Sequence, residues 1–367
     1  LMIADRMRGF EASGIRKVFD LAQKIKNPVN LSIGQPDFDI PEEVKREAIE
    51  AIEGGFNRYT STQGIPELGE KILEKARKER GIKGESIMIT SGVAGALTLA
   101  FMVLINPGDE VLVPDPYFVS FKHLVNFCGG KAKFIDTYPD FELTPERILP
   151  LITPRTKILI INSPSNPTGV VYNPQRLKEI SDIAKEHNLI IISDEIYKKF
   201  VYDVEYQSIG KYHENTVTCN GFSKSYAMTG WRLGSAIGPA RIIDEMMKLQ
   251  QYTYICAPSF AQVAGVKAMD INMDAYVADY KKKRDFVCNS LKEQYKLIKP
   301  DGAFYAFPQV PWGTDEEFVT EAIKHDLLII PGSVFSEKKT HFRISYAATF
   351  ETLERGVEIL NSIVQPC

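Results

Sequence analysis

Four short apolar runs of this 367-residue chain end in residues that could do chemistry together. Ile87-Met88-Ile89-Thr90 leads into Ser91-Gly92-Val93-Ala94-Gly95, small residues whose backbone N–H groups would attract an anion at the start of a helix. Ile158-Leu159-Ile160-Ile161 ends in Asn162-Ser163-Pro164-Ser165-Asn166-Pro167-Thr168-Gly169, a stiff turn that presents the amide of Asn166. Leu189-Ile190-Ile191-Ile192 ends in Ser193-Asp194-Glu195-Ile196-Tyr197. Asp194 is expected in a cleft there, with Tyr197 pointing the same way if a helical turn begins at this place. Thr216-Val217-Thr218-Cys219 ends in Asn220-Gly221-Phe222-Ser223-Lys224-Ser225, and Gly230-Trp231-Arg232-Leu233-Gly234 follows. An amine such as that of Lys224 forms a Schiff base with a carbonyl, and a carboxylate such as Asp194 can hold a pyridine nitrogen protonated so that the ring accepts electrons. The Gly92–Ala94 nest, Ser223 and Arg232 would then hold a phosphate. Singly, Asp194 reads as a helix N-cap, Lys224 as a surface lysine and the glycine-rich start as a plain cap. Their convergence carries the chemical reading.

For these groups to meet, the runs must lie side by side. Together with Val111-Leu112-Val113 they are too short for helices and nearly continuous in apolar character, as strands buried on both faces should be. Amphipathic stretches separate them. Leu177, Ile180, Ile183 and Ala184 follow a start signal at Asn173-Pro174, and Glu42 to Glu53 places Val44, Ala48, Ala51 and Ile52 on one face before Gly54-Gly55. Alternating strands and helices predict an α/β fold with a mostly parallel, doubly wound sheet, whose ligands bind beyond the carboxyl ends of the strands. From about Tyr276 the pattern changes to a long charged helix, Tyr280 to Gln294, and short strands at Gly302–Phe307, Leu327–Ile330 and His341–Ser345. This predicts a large domain over residues 41–275, a smaller α+β domain over 276–367, and an N-terminal segment, 1–40, packing with the small domain. The run Lys281-Lys282-Lys283-Arg284 is expected to be a solvated helix face flanked by Asp279 and Asp285.

Composition narrows the class. Hydrophobic residues make up 44% and charged residues 25%, an ordinary globular mixture, and a length of 367 residues suits about two domains. A net charge of −3 offers no basic surface for nucleic acid or anionic membrane. Cys128, Cys219, Cys256, Cys288 and Cys367 form no CxxC pair, no apolar run approaches a membrane span, and the first residues lack a secretory h-region. A soluble cytoplasmic enzyme is the expectation. Gly130-Lys131 lacks the flanking residues of a P-loop, no GxGxxG follows a strand, and the five histidines form no metal-binding spacing, so no metal site is expected.

The string from Asn220 to Gly234 resembles the lysine signature of the class I/II aminotransferases of fold type I, which use pyridoxal 5′-phosphate (PLP). The resemblance runs from Ser32-Ile33-Gly34-Gln35-Pro36-Asp37-Phe38 to Phe342-Arg343-Ile344-Ser345-Tyr346 and is closest to the archaeal and thermophilic aspartate and aromatic aminotransferases. It implies a ping-pong Schiff-base transamination between an amino acid (aspartate, aromatic or broad) and a 2-oxo acid such as 2-oxoglutarate. Lys224 resembles the lysine that holds PLP and shuttles the proton, Asp194 the partner of the ring nitrogen, and Tyr197 and Asn166 the donors to the ring oxygen. Phe118 falls where an aromatic ring stacks on the cofactor. Gly92, Val93, Ala94, Ser223 and Arg232 match the phosphate cup. Tyr59 matches a tyrosine that reaches the phosphate from the other subunit, which implies a homodimer with shared sites. Arg343 matches the arginine for the substrate α-carboxylate, with Gly34 and Asn166 beside it. The Asp115–Pro116 and Asn166–Pro167 bonds match positions often cis in relatives. Ala94 departs from the lysine that some aspartate-specific relatives carry, so the resemblance does not fix the amino donor.

Two other functions compete. A PLP-dependent C–S β-lyase would use the same Lys, Asp, Tyr and Arg set. A transcription regulator built on this fold needs a basic helix-turn-helix ahead of it, and none is expected because the fold's own motifs begin by Gly34.

Overall fold

The computed structural model describes residues 2–7, 14 and 25–365. Cys367 and most of the first 24 residues, which belong to the segment 1–40 expected to pack with the small domain, lie outside the described residues. Where it is described, the segment joins the C-terminal part of the chain. Strand β1 (Val29–Asn30) pairs in parallel with β10 (Leu327–Leu328), and the Ser345 amide donates to the Leu31 carbonyl.

Seven strands form the central sheet: β2 (Ser86–Ser91), β3 (Glu110–Asp115), β4 (Lys131–Asp136), β5 (Thr156–Asn162), β6 (Ile190–Asp194), β7 (Thr216–Gly221) and β8 (Leu233–Gly238). Their order is β2-β8-β7-β6-β5-β3-β4. All but β8 run the same way, because β8 is antiparallel to both β2 and β7. The apolar runs became strands for the reason expected: β7 and β8 are buried along their whole length, and the centres of β2, β3, β5 and β6 are fully covered. Strand β4 escaped the sequence reading because it lies at the sheet edge and alternates lysines with apolar residues. Strand β8 escaped it because its small residues, Gly234, Ser235, Ala236 and Gly238, give no β-branched signal.

Helix Pro174–Glu186 buries Leu177, Ile180, Ile183 and Ala184, and Asn173 caps it by accepting from the Arg176 amide at 2.9 Å. Helix Glu42–Glu53 has the expected span, but its expected face is divided. Val44 and Ala48 are buried, whereas Ile52 is exposed together with neighbouring Ile49. A further helix, Gly92–Leu104, is apolar on nearly every side and lies in the centre of the core against β8 and β7.

A second sheet of three strands, β11 (Ile330–Pro331), β12 (Phe342–Ser345) and β9 (Tyr305–Ala306), forms in the C-terminal part. The apolar run Leu327–Ile330 therefore splits between two sheets. The charged helix spans Asp274–Leu291, beginning six residues before Tyr280. One expectation about it fails. Lys283 and Arg284 are not solvated but 5% and 1% exposed. Lys283 pairs with Asp37 at 2.6 Å and Asp279 at 2.8 Å. Arg284 pairs with Asp203 at 2.6 Å, donates to the Pro300 carbonyl and lies 4.9 Å from the Tyr202 ring. Their partners come from distant segments, so charge pattern along the helix could not reveal them. Among the described residues no helix is long and apolar enough to cross a membrane.

Candidate active site

At the carboxyl edge of the large sheet lies a cavity of about 270 Å³. Its floor is built by register. Asn162 ends β5, Asp194 ends β6, and the two are direct partners across the ladder. Asn162 donates to the Asp194 carbonyl at 3.1 Å and accepts from the Asn166 amide at 2.9 Å, so it fixes the turn that follows. The Asp194 carboxylate accepts from the Ile196 amide at 3.1 Å and is 3% exposed. Burial raises its pKa to about 7, neighbouring Glu195 pushes the same way, and the Ile196 amide and Lys224 oppose both. A raised carboxyl pKa means that the folded chain holds a proton which the unfolded chain gives up near pH 4. Stability from this group is therefore full below that pH and is lost as pH rises towards 7. Ligand-free Asp194→Asn should accordingly melt on the order of 2–4 °C above the ligand-free wild-type chain at pH 8, with no such gain near pH 4. Equal melting points at pH 8 in calorimetry would show that Asp194 carries no such burden.

Lys224 follows the end of β7 in the short helix Phe222–Ser225. Its Nζ donates to the Gly34 carbonyl at 2.5 Å. Burial lowers its pKa to about 8, repulsion from Arg343 and Arg232 adds to this, and Asp194 pulls in the other direction. An amine so placed is far more often neutral at physiological pH than a surface lysine, as addition to a carbonyl requires.

The antiparallel strand makes the anion cup. Ser91 at the end of β2 pairs with Leu233 at the start of β8, which sets Arg232 beside Gly92. Gly92 has φ +67°, and a Cβ there would stand 2.6 Å from Arg232 Nη2. The backbone conformation therefore favours glycine, and a side chain there would displace the Arg232 guanidinium. Ser91 gives the helix Gly92–Leu104 no side-chain cap, so the first-turn N–H groups are left for an anion. Val93, Ala94, Ser223 and Arg232 line the cavity.

Arg343, on β12, also lines the cavity and is 1% exposed. Its Nη1 donates to Asn166 Oδ1 at 3.0 Å and its Nη2 to the Ser32 carbonyl at 2.8 Å, while Nε has no partner. The guanidinium carbon lies over the ring of Tyr305 at 4.4 Å and over that of Phe335 at 4.6 Å. Among the described residues no carboxylate forms an ion pair with it. A buried, unneutralised cation of this kind is costly unless an anion joins it.

The cavity thus brings together Gly34, Val93, Ala94, Phe118, Asn166, Asp194, Tyr197, Ser223, Lys224, Arg232 and Arg343. Gly92 packs behind Arg232. Tyr59 is not among them; it is 80% exposed on the surface. Both proline bonds singled out in the sequence, Asp115–Pro116 and Asn166–Pro167, are cis. The sequence reading missed Asn162, Thr229 and Tyr305, which also line the cavity, and the apolar Leu97 and Ile196. Asn162 was legible as the first residue of the turn. Tyr305 gave no signal beyond that of a strand residue.

Three cations and one carboxylate face this space. They suit a ligand that carries both a phosphate and a carboxylate, with an amine in the same lining to act as nucleophile. Residues 26–360 match the family described as aminotransferase class I and II. The chain is 39% identical to a probable aspartate aminotransferase of Methanocaldococcus jannaschii, over 99% of this chain and 100% of that one. It is 38% identical to the aromatic-amino-acid aminotransferase 2 of Thermococcus litoralis, over 100% and 99%. Among solved structures, the aspartate aminotransferase from Thermus thermophilus with maleate aligns with a TM-score of 0.94 at 34% identity, over 100% of both chains.

Proposed function

Since the chain belongs to the class I and II aminotransferases and moves amino groups between amino acids and 2-oxo acids, we propose that it does so with PLP held in this cavity. The observation that carries the proposal is the convergence of separate tasks on one cavity: an anion cup at Gly92 and Arg232, an Arg343 with no carboxylate partner among the described residues, and Lys224 and Asp194 in the same lining. When bound, PLP supplies a carbonyl to which an amine adds and a ring that accepts electrons. The protein's part follows from its own groups. Ser223, Arg232 and the uncapped N–H groups hold the phosphate. Asp194, destabilised as a lone buried anion, keeps a proton on the ring nitrogen, and that positive partner restores its charge. Tyr197 and Asn166 serve the ring oxygen, Phe118 covers the ring face, and Arg343 takes the substrate carboxylate as a planar fork. The Lys224 amine, its pKa brought down to about 8 by burial and by Arg343 and Arg232, would take the proton from the substrate carbon and return it. Borohydride reduction of the loaded protein, followed by peptide mapping, should find the pyridoxyl group on Lys224. An adduct on another lysine would move the site.

The same reading includes two lobes, 41–275 and 276–367 with the N-terminal residues, and a cytoplasmic location. It also includes a homodimer. Phe56 and Tyr59 are exposed beside Tyr252, Tyr254 and Ile255, on two segments tied by Ser259–Phe56 and Gln250–Thr62 hydrogen bonds. An apolar patch of this kind supports a partner surface, and Tyr59 would reach the phosphate of the neighbouring site.

A further inference from the structure

Tyr305 belongs to no motif of the chain and reaches the cavity through the fold alone. It lies on β9 opposite Ser345 of β12, and Arg343 is two residues before Ser345, so Tyr305 and Arg343 share one face of the small sheet. The Tyr305 ring supports the Arg343 guanidinium at 4.4 Å. Its hydroxyl lies 2.7 Å from that of Tyr197. It also closes on Gly34, where a Cβ would stand 2.5 Å from the Tyr305 oxygen. Tyr305, Tyr197 and Arg343 are 1%, 4% and 1% exposed, so water does not substitute for these contacts.

We propose that Tyr305 is a positioning residue that links Arg343 to Tyr197: its ring supports the Arg343 guanidinium for the substrate carboxylate, and its hydroxyl donates to Tyr197 so that the Tyr197 proton points into the cavity. The inference rests on the transaminase reading above. Two hydroxyls 2.7 Å apart share one proton, and the other proton must leave in another direction. If Tyr197 were the donor, its oxygen would turn lone pairs towards the cofactor. If Tyr305 donates, Tyr197 becomes a polarised donor to whatever oxygen lies in front of it. The charged and titratable groups facing Tyr197 are Tyr305, Arg343 and Asp194. Burial raises the pKa of both phenols and Arg343 opposes it at both, while the bond between them adds to the rise at Tyr197 and opposes it at Tyr305. By position either oxygen can donate, and the cofactor band of Tyr305→Phe reads which one does.

The test uses the PLP-loaded full chain and separates ring from hydroxyl. Tyr305→Phe keeps the ring, so KM for every amino acid should stay within about twofold while kcat falls about two- to tenfold. The pH midpoint of the visible cofactor band should move upwards, as the ring oxygen is less well served by Tyr197. Tyr305→Leu removes the ring as well and should add a rise in KM of about tenfold, equal across substrates. In a Tyr197→Phe background, Tyr305→Phe should move the midpoint no further. An unmoved midpoint and unchanged kcat in Tyr305→Phe would overturn the inference, as would a full additional shift in the Tyr197→Phe background. Tyr305→Phe decides the matter alone if the leucine variant does not fold. A wild-type chain that showed no visible band with PLP would instead defeat the reading of the cavity itself.

Discussion

Lys224→Ala should lose about four orders of magnitude or more in turnover, measured as 2-oxo acid formed from any amino donor. The size of the loss follows from position. Among the residues lining the cavity, Lys224 is the only lysine, and both arginines are anchored through their own hydrogen bonds, Arg232 to the Thr229 carbonyl and Arg343 to Asn166 and Ser32. An arginine cannot give up a proton at working pH to become a nucleophile. The fold should survive, because removing a partly desolvated cation leaves only the Gly34 carbonyl without its partner. A fall of less than tenfold would mean that another amine reaches the substrate. The same variant tests the dimer. A hybrid of one Lys224→Ala chain and one Tyr59→Ala chain has one site with both lesions and one with neither, if Tyr59 serves the opposite subunit. Such a hybrid should show close to half of wild-type activity per dimer. Activity no greater than the average of the two parent homodimers would place Tyr59 in the site of its own chain.

Arg343→Lys should lower kcat/KM by about 10²–10⁴ for every amino acid and 2-oxo acid alike. Two charge-assisted hydrogen bonds contribute about 1.5–3 kcal/mol each, and an ammonium cannot form both in parallel. The loss should fall mainly on KM, since the carboxylate is held equally before and during the reaction. The lysine would also leave Asn166 Oδ1 or the Ser32 carbonyl short of a donor, so binding of a simple monocarboxylate to the loaded enzyme should weaken in parallel. If one substrate suffered while others did not, Arg343 would be reading a side chain rather than the shared carboxylate.

Much of the site was legible because of where chemistry sits in a parallel sheet. Asn166, Asp194 and Lys224 each lie within a few residues of an apolar run, and strand ends of one direction open on one edge. Local pattern was enough to place them. The four-residue basic run misled for the converse reason. Lys283 and Arg284 lie among charges on their own helix, yet their decisive partners, Asp37 and Asp203, are 246 and 81 residues away. Helix Glu42–Glu53 misled in part because periodicity marks an apolar face and not what covers it; Ile49 and Ile52 remain exposed in the single chain.

By itself, then, the sequence determined the alternation of strands and helices, the turn at Asn166, and the residues that follow each buried strand. These depend on side-chain type and on spacing over one or two turns of chain. The tertiary structure alone decided three further things. It inserted β8 against the direction of its neighbours, which brings Arg232 to the edge where the other strands end and sets it against Gly92. It paired β9 with β12, so that Tyr305 supports Arg343 and meets Tyr197, 108 residues earlier in the chain. It also buried the Arg343 guanidinium against two rings with no carboxylate among the described residues to neutralise it. Strand order and long-range pairing are chosen by how whole apolar faces pack, and no local window of sequence carries that information.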